Sequence, residues 1–151
     1  MYNKQYRLNQ FLIDLAAFFE KYYSQGVTEI VVTEEDRSIL ITFSGDCHSR
    51  IELTSCGEEV IITFSESHWH IDNYNEPCDM NKIYWNAIHI IMDILDRKIG
   101  TYSFWNNDVY LGGASFELPI EEALLSARNT FKNTSEIHVK RWGSPTEIYK
   151  Y

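Results

Sequence analysis

The chain has 151 residues, is 44% apolar and 15% aromatic, and carries a net charge of −9. That length suits one domain with a real core, and that apolar content excludes a disordered chain. The negative charge argues against direct binding to nucleic acid or to an anionic membrane surface, since both need a basic face, and a basic protein partner fits it better.

No apolar run approaches the ~20 residues of a membrane span. The opening residues MYNKQYRLNQFLIDL lack the basic, apolar and small-residue order of a secretory signal. A cytoplasmic location is expected. Cys47, Cys56 and Cys78 are odd in number and form no CxxC pair. Reduced thiols are expected, not a disulfide framework or a zinc ribbon.

Residues 7–24 predict a helix, because Leu8, Leu12, Leu15, Phe19 and Tyr22 recur at i, i+3/i+4 spacing and Gly26 can stop it. This broad aromatic stripe should lie on a sheet. Four short β-type runs follow: TEIVVT, SILITF, SRIELT and VIITF. Alternation places Ile51 and Leu53 on one face, and likewise Val60, Ile62 and Phe64. Tight polar turns between the runs predict an antiparallel meander with one face on the core and one in water.

Asp79 is a candidate N-cap for a second helix over residues 80–97, ended by Gly100. Ile83, Ala87, Ile88, Ile91, Met92 and Leu95 form its apolar stripe, and Tyr84 and Trp85 are expected to fill the core. TYSFW and VYLGGASFEL flank NND, so a hairpin is predicted, and Gly112-Gly113 suggests a bulge or a close backbone approach. Pro119 can open a third helix, with Glu121 and Glu122 in its favourable first turn, running to about Phe131. EIHVKRW can add a last strand, and GSPTEIYKY reads as a tail. The order α-ββββ-α-ββ-α-(β) predicts an α+β fold, a mostly antiparallel sheet of about six strands packed by three helices. It is read as a single domain over residues 1–151 with a short tail from about residue 143.

The chemically richest stretch is FSESHWHIDNY, residues 64–74. If the fourth strand continues past Phe64, His68, His70 and Asp72 share a face at roughly 6.5 Å per step. Two imidazoles and a carboxylate can ligate one metal, so these three are the candidate metal ligands. Nothing in the sequence brings His48, Cys47, Cys56 or Cys78 to them as a further ligand. A catalytic reading fares worse. Ser65 and Ser67 lie near His68 but outside a GxSxG elbow, and no phosphate loop surrounds Gly112-Gly113, so no catalytic residue and no cofactor are assigned. The structural alternative is a strand end with Trp69 and Ile71 inward and both histidines exposed or hydrogen-bonded. His89, between Ile88 and Ile90, is expected at the core or its boundary. His138 is expected on the solvent side of an edge strand. Trp105 is either an exposed anchor or packed beneath its turn.

Charge is uneven. From Glu29 to Asp79 there are twelve acidic residues against Arg37 and Arg50, and from Arg128 to Tyr151 five basic residues against Glu136 and Glu147. The middle is strongly acidic and the end mildly basic. A solvated sheet face kept soluble by carboxylates accounts for this as readily as a binding surface does.

FSESHWHIDNY, then a helix ending IMDILDRKIGTYSFW, then DVYLGGASFEL, resembles small immunity proteins of bacterial polymorphic-toxin and contact-dependent growth inhibition systems. The resemblance spans roughly residues 60–118 and is a pattern of segments. It implies a cytoplasmic, non-catalytic protein that binds and neutralises the C-terminal domain of a cognate toxin, a nuclease being one expected activity, as a monomer or weak homodimer. Toxin contacts are expected from Glu34, Glu35, Asp36, Glu58, Glu59, His68, His70 and Asp72. The basic end from Lys140 onward is the competing surface. Two other readings stand beside this one. The first is a small acidic, dimeric secretion-effector chaperone. The second is a metal-dependent enzyme using His68, His70 and Asp72.

Overall fold

The structure is a computed structural model that describes residues 10, 13–15, 17–19, 21, 27–32, 39–56, 59–71, 80–117 and 119–151. The four β-type runs form strands β1 (Val27–Val32), β2 (Ile39–Ser44), β3 (Arg50–Cys56) and β4 (Glu59–Phe64). With β5 (Ser67–Ile71) they make an antiparallel meander in the order β1-β2-β3-β4-β5. Alternation drives its burial: Ile51, Leu53, Val60, Ile62 and Phe64 are buried, while Glu52 and Thr63 are only partly covered.

Helix α1 is described at residues 10, 13–15, 17–19 and 21, and helix α2 spans Met80–Leu95. Both cover the same face of the meander. Leu15 and Phe19 of α1 join Ile83, Ala87, Ile88, Ile91 and Ile94 of α2 in one core, and Phe19 meets Phe43 edge-on at 5.3 Å. The expected core role of Trp85 is overturned, since it is 56% exposed. It stands one residue beyond Tyr84 and off the buried 83-87-91-94 stripe, and the side chain of Tyr84 lies outside the described residues. His89 is exposed rather than at the core, because it too falls off that stripe.

α2 stops earlier than Gly100, which instead lies in a strand. The end is a Schellman motif: Lys98 N–H donates to Asp93 O at 2.8 Å, Arg97 N–H donates to Ile94 O at 3.0 Å, and Arg97 has a φ of 63°. The candidate N-cap Asp79 lies outside the described residues.

The second sheet holds β6 (Ile99–Asn106), β7 (Val109–Glu117), β8 (Glu136–Lys140) and β9 (Glu147–Lys150), in the antiparallel order β7-β6-β8-β9. Helix α3 (Ile120–Thr130) begins after Pro119 as expected and packs on one face. Phe104, Phe116, Ala127, Ile137 and Val139 form this second core. The bulge expected at the glycine pair is present. β6 and β7 shift register between Phe104, paired with Gly112, and Trp105, paired with Tyr110. The α+β reading therefore holds, with nine described strands divided over two sheets where about six in one were expected. Residues 147–150 are strand β9, not tail. EIYK is too short for its alternation to announce a strand, and the open edge of β8 supplies the pairing.

The sheets are tied at one end. Trp142, from the β8–β9 turn, is buried in the first core with its ring 6.0 Å from Phe64. Gly143 N–H donates to Ser49 Oγ at 2.7 Å, and Lys140 Nζ donates to Cys47 O at 2.8 Å. Gly113 makes the predicted close approach: a Cβ there would lie 3.1 Å from Glu66 O in the β4–β5 turn.

Candidate functional site

The stretch FSESHWHIDNY is a hairpin, not a continuous strand. β4 ends at Phe64, Ser65 and Glu66 turn the chain, and β5 returns with Phe64 opposite Ser67 and Thr63 opposite His68. Ser65 has a φ of 53°, the positive value that a tight two-residue hairpin turn requires. The reversal decides which side chains face water. In one continuous strand His68 would share the face of buried Phe64. Paired residues of a hairpin share a face instead, so Ile62 and Trp69 turn toward the core while Thr63 and His68 turn outward.

The expected exposed-and-buried alternation is thus present, produced by a turn. Ser67 and Ile71 are buried, Trp69 is half-buried, and His68 and His70 are exposed. The two imidazoles meet edge to face with centroids 4.9 Å apart. Among the described residues, β5 pairs with β4 alone, so the histidines stand on an edge strand of the first sheet. Among those residues, too, no third His, Cys, Asp or Glu joins them as a metal group. Asp72, the third proposed ligand, lies outside the described residues.

The same outer face carries Arg50 and Glu52 on β3, whose side chains pair at 2.8 Å and are 53% and 38% exposed. Glu52 sits opposite Thr63, which sits opposite His68, so a polar row crosses β3, β4 and β5. Next to this row opens a cleft of about 710 Å³ whose walls include Cys47, His48, Ser65, Lys140 and Thr146. Cys47 is a free, exposed thiol. Cys47 and His48 form a turn with φ of 55° and 57°, and Ser49 beneath them is buried.

Of the other expected contacts, Glu34, Glu35, Asp36 and Glu58 lie outside the described residues. Glu59 opens β4 opposite Cys56, and its side chain is not among those described. The sequence reading missed the cleft because its walls come from residues 47–52, 63–65 and 140–146. A hint was available in Lys140, a cation that ends an alternating strand.

The second sheet exposes a different surface, opposite α3. Trp105 stacks on His138 at 5.2 Å and meets Tyr110 at 5.4 Å, and its Nε1–H donates to Ser103 Oγ at 2.8 Å. Trp105 is therefore a half-buried member of an aromatic row. His138 is on an inner strand, not an edge, because β9 covers the far side of β8. His138 bonds Glu136 at 2.9 Å, and that hydrogen bond, with help from the Lys150 charge, holds the Glu136 carboxyl below the ordinary glutamate value. Val109, Tyr110 and Ile148 are well exposed on the strands that border this row.

No described helix is long and apolar enough to cross a membrane. Comparison of this chain with models of protein families, with curated proteins and with solved structures finds no match.

Proposed function

We propose that this protein is a stoichiometric inhibitor of the immunity type, which binds the C-terminal domain of a cognate toxin in the cytoplasm without catalysis. The carrying observation is the outer face of β5: His68 and His70 stand exposed and side by side at the edge of a sheet whose other face is a packed core. A rigid sheet that presents interface-type side chains suits tight protein recognition. The chain's net charge of −9 favours a basic partner domain and fast association with it. Glu34, Glu35, Asp36, Glu58, Glu59 and Asp72 are the proposed charge-bearing contacts, from the sequence alone.

The test is co-expression with the product of a toxin-like reading frame next to the gene. A one-to-one complex by light scattering, with restored growth of the toxin-producing cell, is the expected result. A stable homodimer that binds a secreted effector without blocking its activity would replace the reading with a chaperone. Stoichiometric zinc that is lost in His68→Ala would replace it with a metal enzyme.

A further inference from the structure

We infer that the cleft between the two sheets is a binding site for a small oxyanion, a molecule bearing a carboxylate or phosphate group. Lys140 is 8% exposed and lines this cleft. Its ammonium donates to Cys47 O at 2.8 Å and to Ser144 O, two neutral carbonyls on opposite turns. Three N–H groups are available on an ammonium, so one remains. Among the described residues no carboxylate lies within ion-pair distance of Lys140. A buried charge without a counter-charge is costly, and an anion in the cleft would offset that cost.

The other walls suit the same ligand. Arg50 spends one arm on Glu52 at 2.8 Å and keeps further N–H donors, the planar fork that matches carboxylate and phosphate oxygens. Thr63, Ser65 and Thr146 line the cleft with hydroxyl groups, and His48 adds an imidazole. In a chain of net charge −9, this concavity gathers two basic side chains, Arg50 and Lys140, against the single carboxylate of Glu52. Its volume of about 710 Å³ falls in the range of small-molecule sites, and its walls come from three separate segments. This inference is independent of the proposed toxin binding.

The test is an amide chemical-shift titration of the full chain at low ionic strength, with citrate and inorganic phosphate in separate arms. Saturable shifts confined to residues 46–52, 63–66 and 140–146 are expected from at least one anion. A response to citrate alone assigns a carboxylate ligand, and a response to phosphate alone assigns a phosphate ligand. Arg50→Gln should weaken binding about tenfold, the loss of one charge-assisted hydrogen bond, with the rest of the spectrum unchanged. Lys140→Met should abolish it. Because Lys140 also ties two turns together, that variant can misfold, and half-exposed Arg50 then carries the test. No saturable shift with either anion at millimolar concentration overturns the inference. So do shifts that follow surface Lys98 and Lys150 equally, or unchanged affinity in Arg50→Gln.

Discussion

Trp142 lies directly over Gly45: a methyl group on Gly45 would stand 2.6 Å from indole Cζ2. The indole is 3% exposed and belongs to the core of the first sheet, although its chain segment belongs to the second. Gly45→Ala is expected to destabilise the protein by ~1–3 kcal/mol through overpacking. Trp142→Ala should cost ~3–5 kcal/mol through the cavity it leaves. Equilibrium urea unfolding followed by circular dichroism measures both. A Gly45→Ala chain with an unchanged midpoint would show that the indole is not confined there.

At two chain reversals, positive-φ positions are occupied by residues other than glycine, against backbone preference. Arg97 has a φ of 63° at the C-terminus of α2, and Asn107 and Asp108 turn the β6–β7 hairpin with φ of 45° and 67°. Glycine is favoured at a Schellman position and at the second residue of a turn with both φ positive. Arg97→Gly and Asp108→Gly should each stabilise by ~0.5–1 kcal/mol, since L side chains strain there. Thermal unfolding reads the gain, and a lowered midpoint in both variants would contradict the backbone assignment.

The pH response has a defined sign at Glu136. Its carboxyl is held below the ordinary glutamate value, first by the hydrogen bond to His138 and then by Lys150. A depressed folded-state value means that the group's stabilising contribution is present above the ordinary glutamate value. It is lost as pH falls through the lower, folded one. His138→Phe removes the hydrogen bond, so the carboxyl should titrate at higher pH. A ¹³C-detected titration of the Glu136 carboxyl checks this, and an unmoved midpoint would remove His138 as the cause.

His68 and His70 are exposed, so their removal should not disturb the core. The double variant His68→Ala/His70→Ala should keep its unfolding midpoint within ~0.5 kcal/mol of the parent. Affinity for the proposed toxin domain should fall by about tenfold or more, the loss of ~1.4 kcal/mol across an interface. Calorimetric titration measures it. Reversal of Glu34, Glu35, Asp36, Glu58, Glu59 and Asp72 to lysine should slow association and invert its salt dependence. Unchanged affinity and salt dependence across both sets would move the interface to the basic end beyond Lys140.

Local periodicity was enough to identify the buried face of β3, β4 and α2, although not that Trp85 and His89 stand off it. The alternation of Ile51, Leu53, Val60, Ile62 and Phe64 marks the core face of β3 and β4, and the stripe through Ile83, Ala87, Ile88 and Ile91 marks that of α2. Pro119 announced the start of α3, and Gly112-Gly113 announced a bulge and a close contact. These features follow from residues a few positions apart, which is the range over which side-chain period and backbone preference act. Pairing is decided at longer range. The turn at Ser65-Glu66, without glycine or proline, put His68 and His70 outside. β9 exists because β8 had an edge to pair, and Trp142 left its own sheet to fill the other core. The cleft joins residues 47–52, 63–65 and 140–146, whose proximity no local pattern encodes. The amino-acid order alone determined which faces are apolar; the packing of two sheets against each other decided which polar groups meet.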